Sequence, residues 1–355
     1  MKVAVYTIAL NEAKFIEKWY ESAKDADYLL IADTGSDDNT LLLASELGIE
    51  VASISVSPWR FDSSRNAALA LLPSDIDYCI ALDMDEVLVG NWRSELEKAF
   101  EQNVTRPRYK YTWSWKDSLE TVPDLQYGGD KIHKRHGYRW KNPVHEVLVP
   151  DRIEEKLEWF DFEIHHHPDI TKSRAQYFPL LELAVKEDPW DDRNAHYYAR
   201  ELFFQGRLKE AYAAFKKHLS LPSAVWEPER AASMRYMAKC VVGKEREDLL
   251  HAAIKQAPDR REAWVELALF YYDDKKWKEC YNASKKAIRL SQKPMEYLVE
   301  DFAWGHLPFD LAAISAYRIG LYEDALLYGK KALAADPTND RLKSNIKIYE
   351  SAIIK

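Results

Sequence analysis

The chain has 355 residues, enough for two domains of the usual size of about 100–200 residues. Its 47% hydrophobic and 30% charged residues are globular values and exclude a disordered or collagen-like chain. A net charge of −8 without any block of Lys or Arg excludes a protein that holds nucleic acid mainly by its phosphates, leaving Lys131 to Lys141 as one local basic stretch.

In chain order, Val3 to Leu10 forms a first apolar strand. It meets the polar pair Asn11-Glu12 too soon to be a signal peptide or a membrane span. Glu12 to Ala23 carries Phe15, Ile16, Trp19 and Tyr20 at helical spacing, and Tyr28 to Ala32 is a second strand. A helix over Thr40 to Leu47 ends at Gly48, Ile49 to Val56 is a third strand, and Arg65 to Leu72 is a helix stopped by Pro73. Tyr78 to Leu82 is a nearly all-apolar strand of the doubly buried kind, and it runs into Asp83. Alternation of this type predicts βαβ units and a largely parallel sheet.

From Trp92 to Ile164 the pattern predicts strand-like pieces rich in Trp and Tyr, with long loops over one edge. After Pro168 the composition turns to Ala, Leu, Lys, Glu and Tyr, so the domains are expected at 1–170 and 171–355. Within the second, Tyr197 to Leu219, Trp264 to Ile288 and Ile314 to Pro337 repeat one helix-turn-helix pattern, with a degenerate copy around Met234 to Pro258. Ala211 and Cys280 are the equivalent small residues, and Asp274 stands where a turn glycine is usual. These copies resemble tetratricopeptide (TPR) repeats; helical hairpins of no particular family are the plainer reading. Only Cys79, Cys240 and Cys280 occur, which fits a reducing, cytoplasmic setting better than a disulfide framework.

Chemistry gathers at predicted strand ends, where open α/β sheets bind ligands. Asn11-Glu12 follows strand one, Asp33-Thr34-Gly35-Ser36-Asp37-Asp38-Asn39-Thr40 follows strand two, Ser64-Arg65-Asn66 opens a helix, and Asp83-Met84-Asp85-Glu86 follows the buried strand. Each alone is compatible with a plain turn or cap. In this order they resemble family 2 glycosyltransferases of the GT-A fold, closely over residues 1–90. Val144-His145-Glu146, His166-x-Pro168-Asp169, Lys172-Ser173-Arg174 and Tyr177-x-Pro179-Leu180-Leu181 look like the subgroup joined to TPR-like repeats, which includes peptide and protein glycosyltransferases.

The resemblance implies a mostly parallel GT-A sheet sandwiched by helices, an all-α repeat domain, and an inverting hexosyl transfer from a nucleoside-diphosphate donor, UDP by preference. The acceptor would be a peptide or protein, a glycan or a modified nucleobase. Mn²⁺ or Mg²⁺ would offset the charge growing on the diphosphate. Asp85 is then the metal ligand and Asp83 faces the ribose, since residues i and i+2 of a strand share a side. By the same resemblance Asp33 reads the base, Asn11 and Glu12 line the nucleotide pocket, and Arg65 approaches base or diphosphate. A late histidine completes the metal shell. Parity with Phe160, Phe162 and Ile164 selects His166 over His165 and His167, unless the run is a solvated strand end.

The Glu-Asp step that supplies the general base in the family is missing here, so Glu146 is the candidate, with His145 as second and Asp130 in reserve. Trp140 and His145 are candidate acceptor contacts; Trp113, Trp115 and Trp140 could equally be core. Two other functions are weighed against this one: a non-catalytic adaptor whose repeats bind a peptide or a second copy beside a degenerate GT-A domain, and nucleotidyl transfer, whose Gly-rich phosphate loop is absent.

Overall fold

A computed structural model describes residues 1–169, 171–172 and 174–354. Two compact units emerge, Met1–Ala184 with Met295–Tyr297, and Val185–Pro294 with Leu298–Lys355. The division falls later than residue 170, where the composition changes; Ile170, and Ser173 of the Lys172-Ser173-Arg174 likeness, lie outside the described residues.

The first unit opens with β1 (Val3–Ala9), α1 (Ile16–Ala23), β2 (Tyr28–Asp33), α2 (Thr40–Glu46), β3 (Glu50–Ser53), α3 (Phe61–Leu71) and β4 (Tyr78–Ala81). With β8 (Ile132–Lys134) they build a five-stranded sheet in the order β3-β2-β1-β4-β8, parallel throughout except for β8. Alternate residues of β1 serve different cores. Val3 and Val5 pack with Ile16 and Trp19 of α1, whereas Ala4 and Tyr6 pack with Ala68 and Leu69 of α3. Strand order reverses at β1, which makes the carboxyl ends of β1 and β4 a switch point of the kind where open α/β sheets bind ligands.

A second, mixed sheet runs β5-β11-β6-β7, from β5 (Glu86–Val89), β6 (Arg106–Thr112), β7 (Gln126–Gly129) and β11 (Leu157–His166). The hairpin β9 (Tyr138–Lys141) and β10 (Val147–Pro150) stands apart. Between β5 and β6 lies a helix, α4 (Trp92–Glu101), where strands were expected. Trp92, Leu96 and Ala99 are its buried face, and their spacing has the helical period that the surrounding aromatic run masked.

Helix α1 begins four residues later than expected because Asn11 adopts φ 57° and the Glu12 amide is bound by the Thr40 hydroxyl, 2.8 Å away. A larger correction concerns Asp83-Met84-Asp85. These residues form the turn from β4 to β5, closed by Glu86 N donating to Asp83 O at 2.9 Å, so strand parity does not orient the two carboxylates.

The second unit is a stack of antiparallel helix pairs. α5 (Tyr177–Glu187) spans the division. The pairs are α6 (Asp192–Phe204) with α7 (Leu208–Ser220), α8 (Glu227–Lys239) with α9 (Gly243–Gln256), α10 (Arg261–Asp273) with α11 (Trp277–Arg289), and α12 (Leu307–Arg318) with α13 (Tyr322–Ala335). α14 (Asp340–Ile353) closes the array. Ala211, Cys280 and Ala325 are fully buried where second helices meet first ones, which explains the small residues. Turn residues Gly206 and Gly320 take positive φ directly after the first helix of their pairs; in the third pair Lys275, not Asp274, holds that position, at φ 59°. No helix among the described residues is long and apolar enough to cross a membrane.

Candidate functional site

At the carboxyl end of β4, charges alternate along a partly buried chain of side chains, with Glu86 and Arg65 its buried members. Glu86 Oε1 accepts from Lys131 Nζ at 2.6 Å, and Lys131 Nζ also meets Asp83 Oδ2 at 2.7 Å. Asp83 Oδ1 takes Arg65 Nη2 at 2.7 Å, and Arg65 Nε meets Glu146 Oε1 at 2.6 Å. Tyr111 donates its hydroxyl to Glu86. Lys131 arrives there because β8 runs antiparallel to β4, and its carbonyl accepts from Ala81 N at 3.1 Å.

The titrations follow from this geometry. Burial pushes the Asp83 carboxyl up, but the two cations more than offset it and hold it well below the usual carboxylate range. Glu86 moves the other way: burial raises it, Asp83 and Asp85 add repulsion, and Lys131 only partly compensates. Burial disfavours charge on Lys131 as well, yet Asp83 and Glu86 keep it firmly protonated. Arg65 keeps one buried nitrogen, Nη1, without a hydrogen-bond partner. A buried guanidinium donor left open at a strand-end switch point is suited to an anionic ligand.

Asp85 and His166 meet one turn further on. β5 pairs antiparallel with β11 so that His166 lies opposite Glu86, and the Asp85 carbonyl accepts from His167 N at 2.7 Å. Phe162, Ile164 and His166 are buried on one side of β11. His166 Nδ1 faces the Trp113 carbonyl at 2.9 Å, which can only accept, so Nδ1 carries the hydrogen. In the neutral ring Nε2 then presents a lone pair to Asp85 Oδ2, 3.4 Å away. Burial lowers the His166 pKa, but the Asp85 carboxylate more than reverses this and leaves it raised. A cation between the two groups relieves the same repulsion, and a carbonyl fixing Nδ1–H is the usual support of a metal-binding imidazole.

The remaining expected residues divide into two sets. Glu12 stands near this edge: Lys172 pairs with one carboxylate oxygen, while buried Oε2 has no hydrogen-bond partner. Burial raises its pKa, against the pull of Lys172. Asn11 and Asp33 are turn builders. Asn11 Oδ1 accepts from Asp37 N at 2.9 Å, and Asp33 is buried with its carboxyl on the amides of Gly35 and Ser36 at 2.9 and 3.1 Å. His145, at φ 50°, packs edge-on against Tyr177. Trp140 corrects an expectation. It is 3% exposed, donates to Tyr6 OH at 2.8 Å and carries the Arg65 guanidinium on its ring face at 5.1 Å, so it is a buried platform and not an acceptor contact. Trp113, by contrast, is surface-accessible and stacks on His166 with ring centres 4.4 Å apart. Asp130 is engaged by Arg106 at 3.2 Å. Lys131 and Glu86 are the members that strand-end patterns did not single out.

No family model matches the chain. A TPR repeat-containing protein of Synechococcus elongatus is 24% identical over 315 residues, 81% of this chain and 75% of its own length. An uncharacterized glycosyltransferase of Rickettsia bellii is 32% identical over 108 residues; the match takes in 30% of this chain and 35% of that protein. Among solved structures, YrrB, a TPR protein with an unusual peptide-binding site, overlaps 48% of this chain and 82% of its own at 16% identity and TM-score 0.39. The C-terminal part of a TPR repeat-containing protein of Cytophaga hutchinsonii overlaps 50% and 66% at 13% identity and TM-score 0.41. By its own strands and helix pairs the chain joins a mixed α/β unit, bearing a partly buried charge network at its strand ends, to a TPR-like helical unit.

Proposed function

We propose that the first unit is a metal-dependent, inverting glycosyltransferase of the GT-A type that takes a nucleoside-diphosphate sugar, with UDP the favoured nucleotide. One observation carries the reading: His166 Nε2 and Asp85 Oδ2 face each other at 3.4 Å with the imidazole fixed by Trp113, at the edge where Arg65 keeps a buried, unpartnered Nη1. The partial likeness to the Rickettsia glycosyltransferase supports the same class.

Asp85 and His166 would hold Mn²⁺ or Mg²⁺, whose remaining positions suit phosphate oxygens and water. Bound there, the ion would stabilise charge on the departing diphosphate. Arg65 offers Nη1 to the same anion. Asp83, kept ionised by Arg65 and Lys131, is placed to accept from a ribose hydroxyl, and Glu12 Oε2 from a further donor hydroxyl. Glu146 is the base assigned to the acceptor; its ion pair with Arg65 brings it to the same edge. The helical unit would bind the acceptor, in first place a peptide or protein.

The competing reading is an adaptor whose helical unit binds a peptide beside an idle α/β unit, and the name of the Synechococcus relative favours it. Incubation with Mn²⁺ and a panel of nucleotide sugars separates the two. Donor hydrolysis or transfer that Asp85→Ala abolishes supports the enzyme. Absence of donor binding and turnover across the panel would leave the adaptor.

A further inference from the structure

The second unit has its own polar interior where α6, α7 and α8 meet. Asp192 in the first turn of α6, His218 near the end of α7 and Glu229 near the start of α8 each bring one ligand-capable atom within 4.8 Å of the other two. His218 is fully buried, Glu229 is 3% exposed, and Asp192 sits half-buried at the edge. Carboxylates and imidazoles are placed inside a helical core only at a cost unless something neutralises them.

The hydrogen bonds leave one nitrogen of His218 open. His218 Nε2 approaches Glu229 Oε1 to 3.3 Å, yet no hydrogen bond reaches this buried nitrogen. The two Nδ1 atoms of His196 and His218 share the Ser233 hydroxyl, at 2.8 and 2.9 Å. One hydroxyl donates one hydrogen, so Ser233 donates to one ring and accepts from the other. When His218 Nδ1–H is the donor, its Nε2 turns a lone pair toward the Glu229 carboxylate, which is repulsive without a cation between them. Anchoring Nδ1 on a neutral acceptor is also how imidazole ligands are oriented.

We propose that this junction binds one divalent transition-metal ion, zinc by its donor chemistry, through Asp192, His218 and Glu229, and so ties the first two helix pairs together. Ligand atoms of four-coordinate zinc, with bonds of about 2.0–2.2 Å, stand roughly 3.3–3.5 Å apart. The His218–Glu229 pair already has that spacing, and Asp192, at the half-buried edge, closes the third side. An imidazole among the donors favours zinc over magnesium or calcium. Three protein ligands leave one position for water, so the ion stays within reach of a chelator.

Full-length protein stripped with EDTA and titrated with Co²⁺ tests the site independently of Asp85. The expected result is one equivalent giving the visible bands of a four- or five-coordinate site, displaced by Zn²⁺ and unchanged in Asp85→Ala. Glu229→Gln, close in shape, should weaken Co²⁺ binding more than about tenfold. Asp192→Asn, at the edge of the cluster, is the second variant should Glu229→Gln fail to fold, and the same loss is expected of it. A wild-type protein with no equivalent beyond one that Asp85→Ala removes overturns the proposal. So does Co²⁺ binding that a folded Glu229→Gln or Asp192→Asn leaves unchanged.

Discussion

Arg65 is shared between two carboxylates through different nitrogens, Nη2 on Asp83 at 2.7 Å and Nε on Glu146 at 2.6 Å, while its face rests on Trp140. A lysine keeps the charge but cannot span both partners or stack in this way. Arg65→Lys should therefore cost about 1–3 kcal/mol of stability in the first unit, from two buried charge-assisted bonds reduced to one. Arg65→Met, which strands Glu146 and leaves Asp83 to Lys131 alone, should cost about 3–5 kcal/mol. Amide exchange of the β1 and β4 peptides reads the first unit alone; equal protection in wild type and Arg65→Met would refute the coupling.

The pH dependence of the same unit should be governed in part by His133. The ring is fully buried beside Tyr6, and burial lowers its pKa from 6.5 to about 3. Between these values the unfolded chain binds a proton that the folded one refuses, so stability falls as pH drops from about 6.5 toward 3. The slope is at most about 1.4 kcal/mol per pH unit from this residue. His133→Gln should flatten the dependence over that window, seen in urea unfolding at stepped pH with exchange of β4 and β8 as the readout. An unchanged slope would show that other groups control the acid limb.

How far the sequence revealed these features depended on how local the signal was. The place of Asp83 and Asp85 after β4 and the burial of His166 by parity along β11 were legible because each follows from a single strand. Lys131 was not, since its place beside Asp83 depends on β8 pairing antiparallel with β4, a contact between distant segments. Trp140 misled because an aromatic side chain has the same pattern whether it lines a cleft or carries a buried arginine. A plain turn at Asp83 and Asp85 stayed open beside the strand-parity reading, because the apolar run of β4 points at them but does not say where the strand stops.

In the helical unit, Lys275 occupies at φ 59° the turn position that Gly206 and Gly320 fill in the first and fourth pairs. A left-handed conformation costs a side-chain-bearing residue about 1–2 kcal/mol, part of which glycine returns through the greater entropy it loses on folding. Lys275→Gly should then stabilise the third pair by about 0.5–1 kcal/mol. The check is a higher urea midpoint with unchanged slope; a lower midpoint would mean that the Lys275 side chain contributes more than the backbone strain removes.

A glycine in β7 links packing to the charge network. A Cβ on Gly129 would lie 2.1 Å from the Tyr109 ring, which is itself fully buried and stacked on Phe162 with centres 5.2 Å apart. Gly129→Ala must therefore displace Tyr109, and overpacking of this kind costs about 1–3 kcal/mol. The Tyr109 hydroxyl accepts from Lys131 N at 3.3 Å, so its displacement moves the residue that pairs Asp83 with Glu86. On the proposed function, nucleotide binding should weaken along with stability, although no atom of Gly129 belongs to the network. Tyr109→Leu, which makes room for the methyl group, should recover part of the stability when combined with Gly129→Ala, a coupling that a double-mutant cycle measures. If the two substitutions are additive, the ring is not what Gly129 accommodates, and the route from β7 to Lys131 fails with it.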